Sequence, residues 1–184
     1  EVAQTCVPAH NNLILCDGGR YDYNKSDIRS KISHFHVHNC LEIPELSQEY
    51  FNLKYGSGKF ETNNNNEINV NNPLYNKYNI THKRRFNINE NEKILTVTDT
   101  IINLSDIKYT GILRYNFHPD IDIEKEGNLI EKYTIESKNT IKTKIVDSLY
   151  SPKSMKVYDN KRIETTFKIE PKENIVIVFK LFLN

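Results

Sequence analysis

"KILTVTDTIINL", residues 93–104, decides the fold class. Leu95, Val97 and Ile101 fall at one parity, and Thr96, Thr98 and Thr100 at the other. A period of two with one apolar face is the pattern of a half-buried strand. "RIETTFKIE" (162–170) repeats it, with Ile163, Phe167 and Ile169 inward and Arg162, Glu164 and Lys168 outward. "NIVIVFKLFL" (174–183) is apolar at both parities, which predicts a strand central to its sheet.

"YTIESKNTIKTKIVD" (133–147) reads as a strand pair turned at Ser137 to Asn139. Short breakers such as "CDGG" (16–19), "YGSG" (55–58), "HPD" (118–120) and "EPKEN" (170–174) separate the strand patterns. No long amphipathic helix, internal repeat or second domain boundary accompanies them. Turn signals at this spacing predict an all-β chain, an antiparallel β-sandwich forming a single domain over residues 1–184. The asparagine runs at 63–66 and 71–72 mark 61–76 as the expected flexible loop.

The 184 residues carry 25 basic and 24 acidic side chains, a formal net charge of +1. That balance builds no field for DNA, RNA or an anionic membrane. No apolar run reaches the roughly 18 residues of a membrane span, and no signal-peptide pattern opens the chain, which reads as soluble. It begins "EVAQTC" without Met, which points to a mature product or a trimmed chain with sequence missing upstream. Cys6, Cys16 and Cys40 form neither a CxxC pair nor an even framework, so reduced structural thiols are expected.

"HFHVHNC" (34–40) is the densest chemistry in the chain. On a strand, His34, His36 and His38 share one face with Cβ atoms roughly 7 Å apart. A His-x-His pair binds zinc when an adjacent strand adds a third donor. The same pattern also fits a polar strand face with solvated imidazoles. His82 in "THKRRF" opens a predicted strand, as a cross-strand donor would, whereas His118 before Pro119 suits a structural hydrogen bond. "HKRR" holds too few basic residues, and continues into too regular a strand, for a nucleic-acid patch.

"CDGGRYDYN" (16–24) follows the apolar "NLILC". Gly18 and Gly19 permit positive φ and close approach of a ligand. Arg20, Tyr21, Asp22 and Tyr23 offer a cation, a carboxylate and two phenols. That surface would suit a sugar acid, with Arg gripping the carboxylate and Tyr stacking on the ring. A tight turn with exposed Tyr is the plain alternative.

Taken in order, "LILCDGGRYDY", "SDIRSKISHFHVHNCLEI", "SQEYF", "YNITHKRRFNI", "KILTVTDTI" and "LRYNFHPDI" resemble the C-terminal β-sandwich, of super-sandwich type, of the heparinase II/III-like polysaccharide lyases. The shared features are an Asp-x-Gly turn leading to Arg, a His-Asn-Thr motif with Cys40 in place of Thr, a His-x-Arg segment, a hydrophobic-x-Asp-x-Ile strand and a strand ending in His-Pro. They cover roughly residues 12–125. The resemblance implies β-elimination on a uronate-containing, acidic polysaccharide. It implies zinc held by His38 and His82 with an acidic third ligand, Glu49 or Glu61, and Glu49 is the choice adopted. His36 would be the catalytic histidine, and Arg20, Tyr21, Tyr23 and Asn39 would bind substrate.

The family builds its substrate canyon from an α/α toroid that this chain lacks, so the chain alone is expected to be inactive or nearly so. Its address would be periplasmic or secreted if degradative, and cytoplasmic if tied to glycan synthesis. Two rivals remain: a non-catalytic carbohydrate-binding or structural sandwich, and a cupin-like metal enzyme using Glu42 or Glu45. Pro44 interrupts the strand the cupin reading needs.

Overall fold

The computed structural model describes residues 7–9, 12–19, 21, 22, 24, 26–32, 37–46, 58–64, 66–124 and 130–183. Its strands are β1 (Val7–Ala9), β2 (Asn12–Leu15), β3 (Leu41–Glu42), β4 (Lys59–Asn64), β5 (Glu67–Asn72), β6 (Ile80–Asn89), β7 (Ile94–Asn103), β8 (Tyr109–Asn116), β9 (Ile130–Ser137), β10 (Ile141–Tyr150), β11 (Tyr158–Ile169) and β12 (Asn174–Leu183). The antiparallel ladders form a six-stranded sheet, β4-β5-β6-β7-β12-β9, a four-stranded sheet, β10-β11-β8-β3, and the β1-β2 pair.

The two large sheets face each other across one core, so the expected antiparallel sandwich is what forms. Alternation does the sorting. In β7, Leu95, Val97 and Ile101 are buried at one parity. In β12, Ile175, Ile177, Phe179 and Leu181 are fully buried while Val176 is 39% exposed. β12 therefore sits between β7 and β9, with one face sealed, although its sequence is apolar at both parities. From the opposite sheet, Tyr115 of β8 stacks on Phe179 at 4.1 Å, and Phe117 meets the same ring edge-on at 6.5 Å. Such aromatic pairs contribute about 0.5–1.5 kcal/mol beyond the area they bury.

Three local expectations are corrected. Residues 61–76 hold the β4–β5 hairpin and the start of a 3-10 helix, Pro73–Tyr78. The asparagines there have structural tasks. Asn72 caps the short helix by accepting from Leu74 N at 3.1 Å, and Asn79 ends it at φ 57°, a left-handed conformation that Asn tolerates. Next, β9 and β10 are strands as expected but do not pair. β9 joins β12, β10 joins β11, and the link between them passes from one sheet to the other. Finally, residues 37–40 are bends and a single 3-10 position, with strand only from Leu41, so His38 does not stand on a strand. The one α-helix among the described residues, α1 (Asp27–Ile32), is six residues long, and Ser26 Oγ accepts from Arg29 N at its start.

Candidate functional site: a carboxylate-imidazole pair over a buried ion pair

The turn after β2 builds the first half of the site. Asp17 Oδ1 accepts from Gly19 N at 3.0 Å, and Gly19 adopts φ 75°, which glycine reaches without strain. Gly18 has no room for a side chain, because a Cβ there would lie 2.6 Å from Val37 Cγ2. That close approach lets the 37–40 segment press onto the turn. As a result His38 Nδ1 lies 2.6 Å from Asp17 Oδ2, with the side chains 17% and 11% exposed. With Asp17 ionised, Nδ1 carries the proton and donates it to the carboxylate, which leaves the basic lone pair on Nε2.

Asn39 holds the two halves together. Its Nδ2 donates to Cys16 O at 2.9 Å, and its Oδ1 accepts from Asn116 N at 2.5 Å and Asn116 Nδ2 at 3.2 Å. Asn39 is fully buried, and its side-chain amide is spent on bonds within the protein. Its amide acts as a staple between the β2 end, the β8 end and the His38 segment.

Beneath lies a charged cluster between the sheets. At β6 and β7, Arg84 stands opposite Asp99 in register. Arg84 Nε donates to Asp99 Oδ1 at 2.7 Å and Nη2 donates to Oδ2 at 3.2 Å. Nη1 continues to Asn39 O at 2.5 Å. Tyr115 Oη donates to Asp99 Oδ2 at 2.7 Å, and His82 Nε2 lies 2.6 Å from Oδ1. Asn72 spends its Oδ1 on Leu74 N, so its Nδ2 faces His82 Nδ1 at 3.4 Å as donor. His82 is thereby the Nε2-protonated tautomer. Burial by itself would push the Asp99 carboxyl up, but Arg84 and His82 outweigh it and hold the group ionised, well below the usual carboxylate range. Burial likewise opposes the Arg84 charge, and Asp99 overrides it. Beside them, burial pushes the Cys40 thiol up to about 12, and the charges of Arg114 and Arg84 offset it only in part.

A second network lies on the other face of β8. Arg114 Nη1 is 2.6 Å from Glu42 Oε2, and its Nε donates to Glu164 Oε1 at 2.9 Å. Arg162 Nε reaches the same Oε1 at 3.0 Å, while Lys144 Nζ lies 3.2 Å from Oε2.

The expected site residues divide three ways. Arg20, Tyr23, His34, His36 and Glu49 lie outside the described residues. His38 is partly exposed, and Tyr21 is half-buried at φ 56°, its carbonyl accepting from Met155 N at 2.9 Å. His82 is 4% exposed, and both its ring nitrogens have partners already. Among the described residues no group of three or more His, Cys, Asp or Glu converges as a metal cage. Glu42 and Glu45, the cupin-type acids, bond to Arg114 and to Thr110 N. His118 has the structural task expected of it, its Nδ1 accepting from Asp120 N at 3.3 Å. In "HKRR", Arg84 is buried and Lys83 and Arg85 are exposed, which is strand alternation and no basic patch.

Sequence reasoning missed Asp17, Arg84 and Asp99 as site residues. The signal for the latter two was present: both are charged and fall at the buried parity of their strands.

The family described as Heparinase II/III-like, C-terminal, matches residues 8–177, well beyond the 12–125 covered by the motifs. Among solved structures, heparinase III superimposes with a TM-score of 0.73 at 14% identity, covering 94% of this chain and 28% of that one. Heparan sulfate lyase HepC from Pedobacter heparinus gives 0.65 at 15%, covering 95% and 29%. At that identity the likeness speaks for the fold, and the chain spans under a third of either enzyme's length. No curated protein matches it. No helix among the described residues is long and apolar enough to cross a membrane. With the family match over nearly its whole length, the chain belongs to the heparinase II/III-like C-terminal family.

Proposed function

We propose that this chain is the β-sandwich part of a lyase that cleaves a uronate-containing polysaccharide by β-elimination. It works against an α/α toroid domain and is inactive or nearly so without one. The observation that carries the reading is the Asp17–His38 pair at 2.6 Å, partly open to solvent, in this family's domain. β-Elimination requires neutralisation of the uronate carboxylate, a base for the C5 proton and an acid for the leaving oxygen. Asp17 orients the His38 imidazole and keeps the basic lone pair on Nε2, the tautomer that can take a proton. Arg20 would grip the uronate carboxylate, Tyr21 and Tyr23 would line the sugar, and His36 would supply a second imidazole.

The assay is ultraviolet absorbance of unsaturated uronate from an acidic glycan such as heparan sulfate, the substrate in HepC's name. Product should form with the toroid domain present and fall at least about a hundredfold in His38→Ala, as general-base losses do. Glycan binding without any unsaturated product would instead establish a non-catalytic carbohydrate-binding sandwich.

A second reading of the same pair is zinc ligation by His38 Nε2, with Asp17 the carboxylate that orients the ring from behind through Nδ1. Zinc there would brace the cleft wall as a structural Lewis acid. Elemental analysis decides it: stoichiometric zinc lost in both Asp17→Asn and His38→Ala supports ligation. Metal-free wild-type protein rules it out.

A further inference from the structure

We infer that Arg84, seated on Asp99, is a positioning residue that sets His38 against Asp17 through the backbone of Asn39. The inference rests on the reading of Asp17–His38 as the working pair and names what holds that pair in place.

The shape of a guanidinium sets the geometry. Its donors form a rigid planar fork, so fixing two of them fixes the direction of the third. Asp99 takes Nε and Nη2 at 2.7 and 3.2 Å. Nη1 is then aimed at a single place, where Asn39 O receives it at 2.5 Å. Asn39 immediately follows His38, and Cys40 N folds back onto His38 O at 3.0 Å, so the segment is a tight bend with little slack. The side-chain amide of Asn39 fixes one side of that bend, and Arg84 fixes the carbonyl on the other.

Stability alone is a poor reason for this arrangement. Arg84 is 3% exposed and Asp99 is fully buried, and well-packed apolar residues often replace a buried ion pair without loss. Fixed geometry is what such a pair adds. Tyr115 sharpens it by holding Asp99 Oδ2 at 2.7 Å, which leaves Nη2 the slacker of the two contacts. Arg84 reaches the 38–40 bend at Asn39 O, so changing it perturbs the pair by way of that bend.

The test is the exchange rate of the His38 Nδ1 proton, followed by NMR on the full chain labelled with nitrogen-15 histidine and freed of metal by chelation. Asp17→Asn is the control for the underlying reading: a protected Nδ1 proton in wild type should disappear there. Arg84→Lys keeps the charge but cannot span Asp99 and Asn39 O together. It should speed exchange at least about tenfold, as expected for losing the alignment of one charge-assisted bond. Tyr115→Phe removes one hydroxyl and no charge, so it folds even where Arg84→Lys does not. It lets Asp99 recentre on Nη2, turn the fork and give a smaller increase in the same direction. Wild-type exchange in whichever of these variants folds overturns the inference while leaving the pair intact. A wild-type Nδ1 proton without protection overturns the reading and the inference together.

Discussion

Glu164 is the residue whose loss tests the electrostatic account most directly. One carboxylate, 7% exposed, lies within 3.2 Å of Arg114, Arg162 and Lys144. Burial pushes its pKa up, but the three cations outweigh burial and bring it from 4.5 down to about 2. Because the folded value lies below the unfolded one, the stabilisation is complete above about 4.5 and is lost as pH falls through about 2. At 1.36 kcal/mol per unit that is about 3 kcal/mol, reduced somewhat because solvent reaches Lys144. Removing one partner of a buried pair costs a similar 3–5 kcal/mol, since Arg114 and Arg162 would be left under-compensated. Glu164→Gln should therefore lower stability by about 3 kcal/mol at pH 7, a drop in Tm of roughly 6–12 °C for a chain of this size. Urea unfolding at pH 7, 5, 4 and 3 is the assay. The gap between wild type and variant should be constant above pH 5 and shrink towards pH 3. A gap below about 1 kcal/mol at pH 7, or one that does not change with pH, would refute the reasoning.

Three further outcomes follow from the same contacts. Gly19→Ala places a Cβ 1.9 Å from Ser151 O at φ +75°, so it should cost about 2–4 kcal/mol in urea unfolding; a change under 0.5 kcal/mol would mean the turn is not built as described. Asn39→Ala strips the staple and leaves the buried Asn116 N without its acceptor, for a loss of about 2–4 kcal/mol. Calorimetry that finds Asn39→Ala as stable as wild type would remove the staple from the account. Cys40, its thiol pushed up to about 12, should resist iodoacetamide at pH 8 in the folded chain and react only on unfolding. Mass spectrometry of peptides from the native, labelled protein reads this directly.

Much of the fold was legible because strand burial is a local property. A side chain's parity is set by its own backbone, so Leu95, Val97 and Ile101 announce an inner face wherever the strand ends up. The same rule applied to charges would have found Asp99 and Arg84, which share the buried parity of Leu95 and Ile80. What parity does not encode is partnership. β9 and β10 carry the turn signals of a hairpin, yet each finds its ladder elsewhere, because pairing is decided by which sheet has an open edge and a matching register. The asparagine-rich 61–76 looked unstructured by composition, but a hairpin is held by backbone bonds that composition does not report.

The sequence by itself determined an all-β chain, its inward faces, the family motifs and His38 as a residue of interest. Only the tertiary structure decided that His38 lies against Asp17, 21 positions away, at 2.6 Å, and that His82 lies against Asp99. It also decided that Asn39 is a staple, fully buried between β2 and β8. The physical reason is range. Alternation and turn chemistry act between neighbours in the chain, whereas a 2.6 Å hydrogen bond between distant residues exists only after loop closure and sheet packing have fixed both backbones.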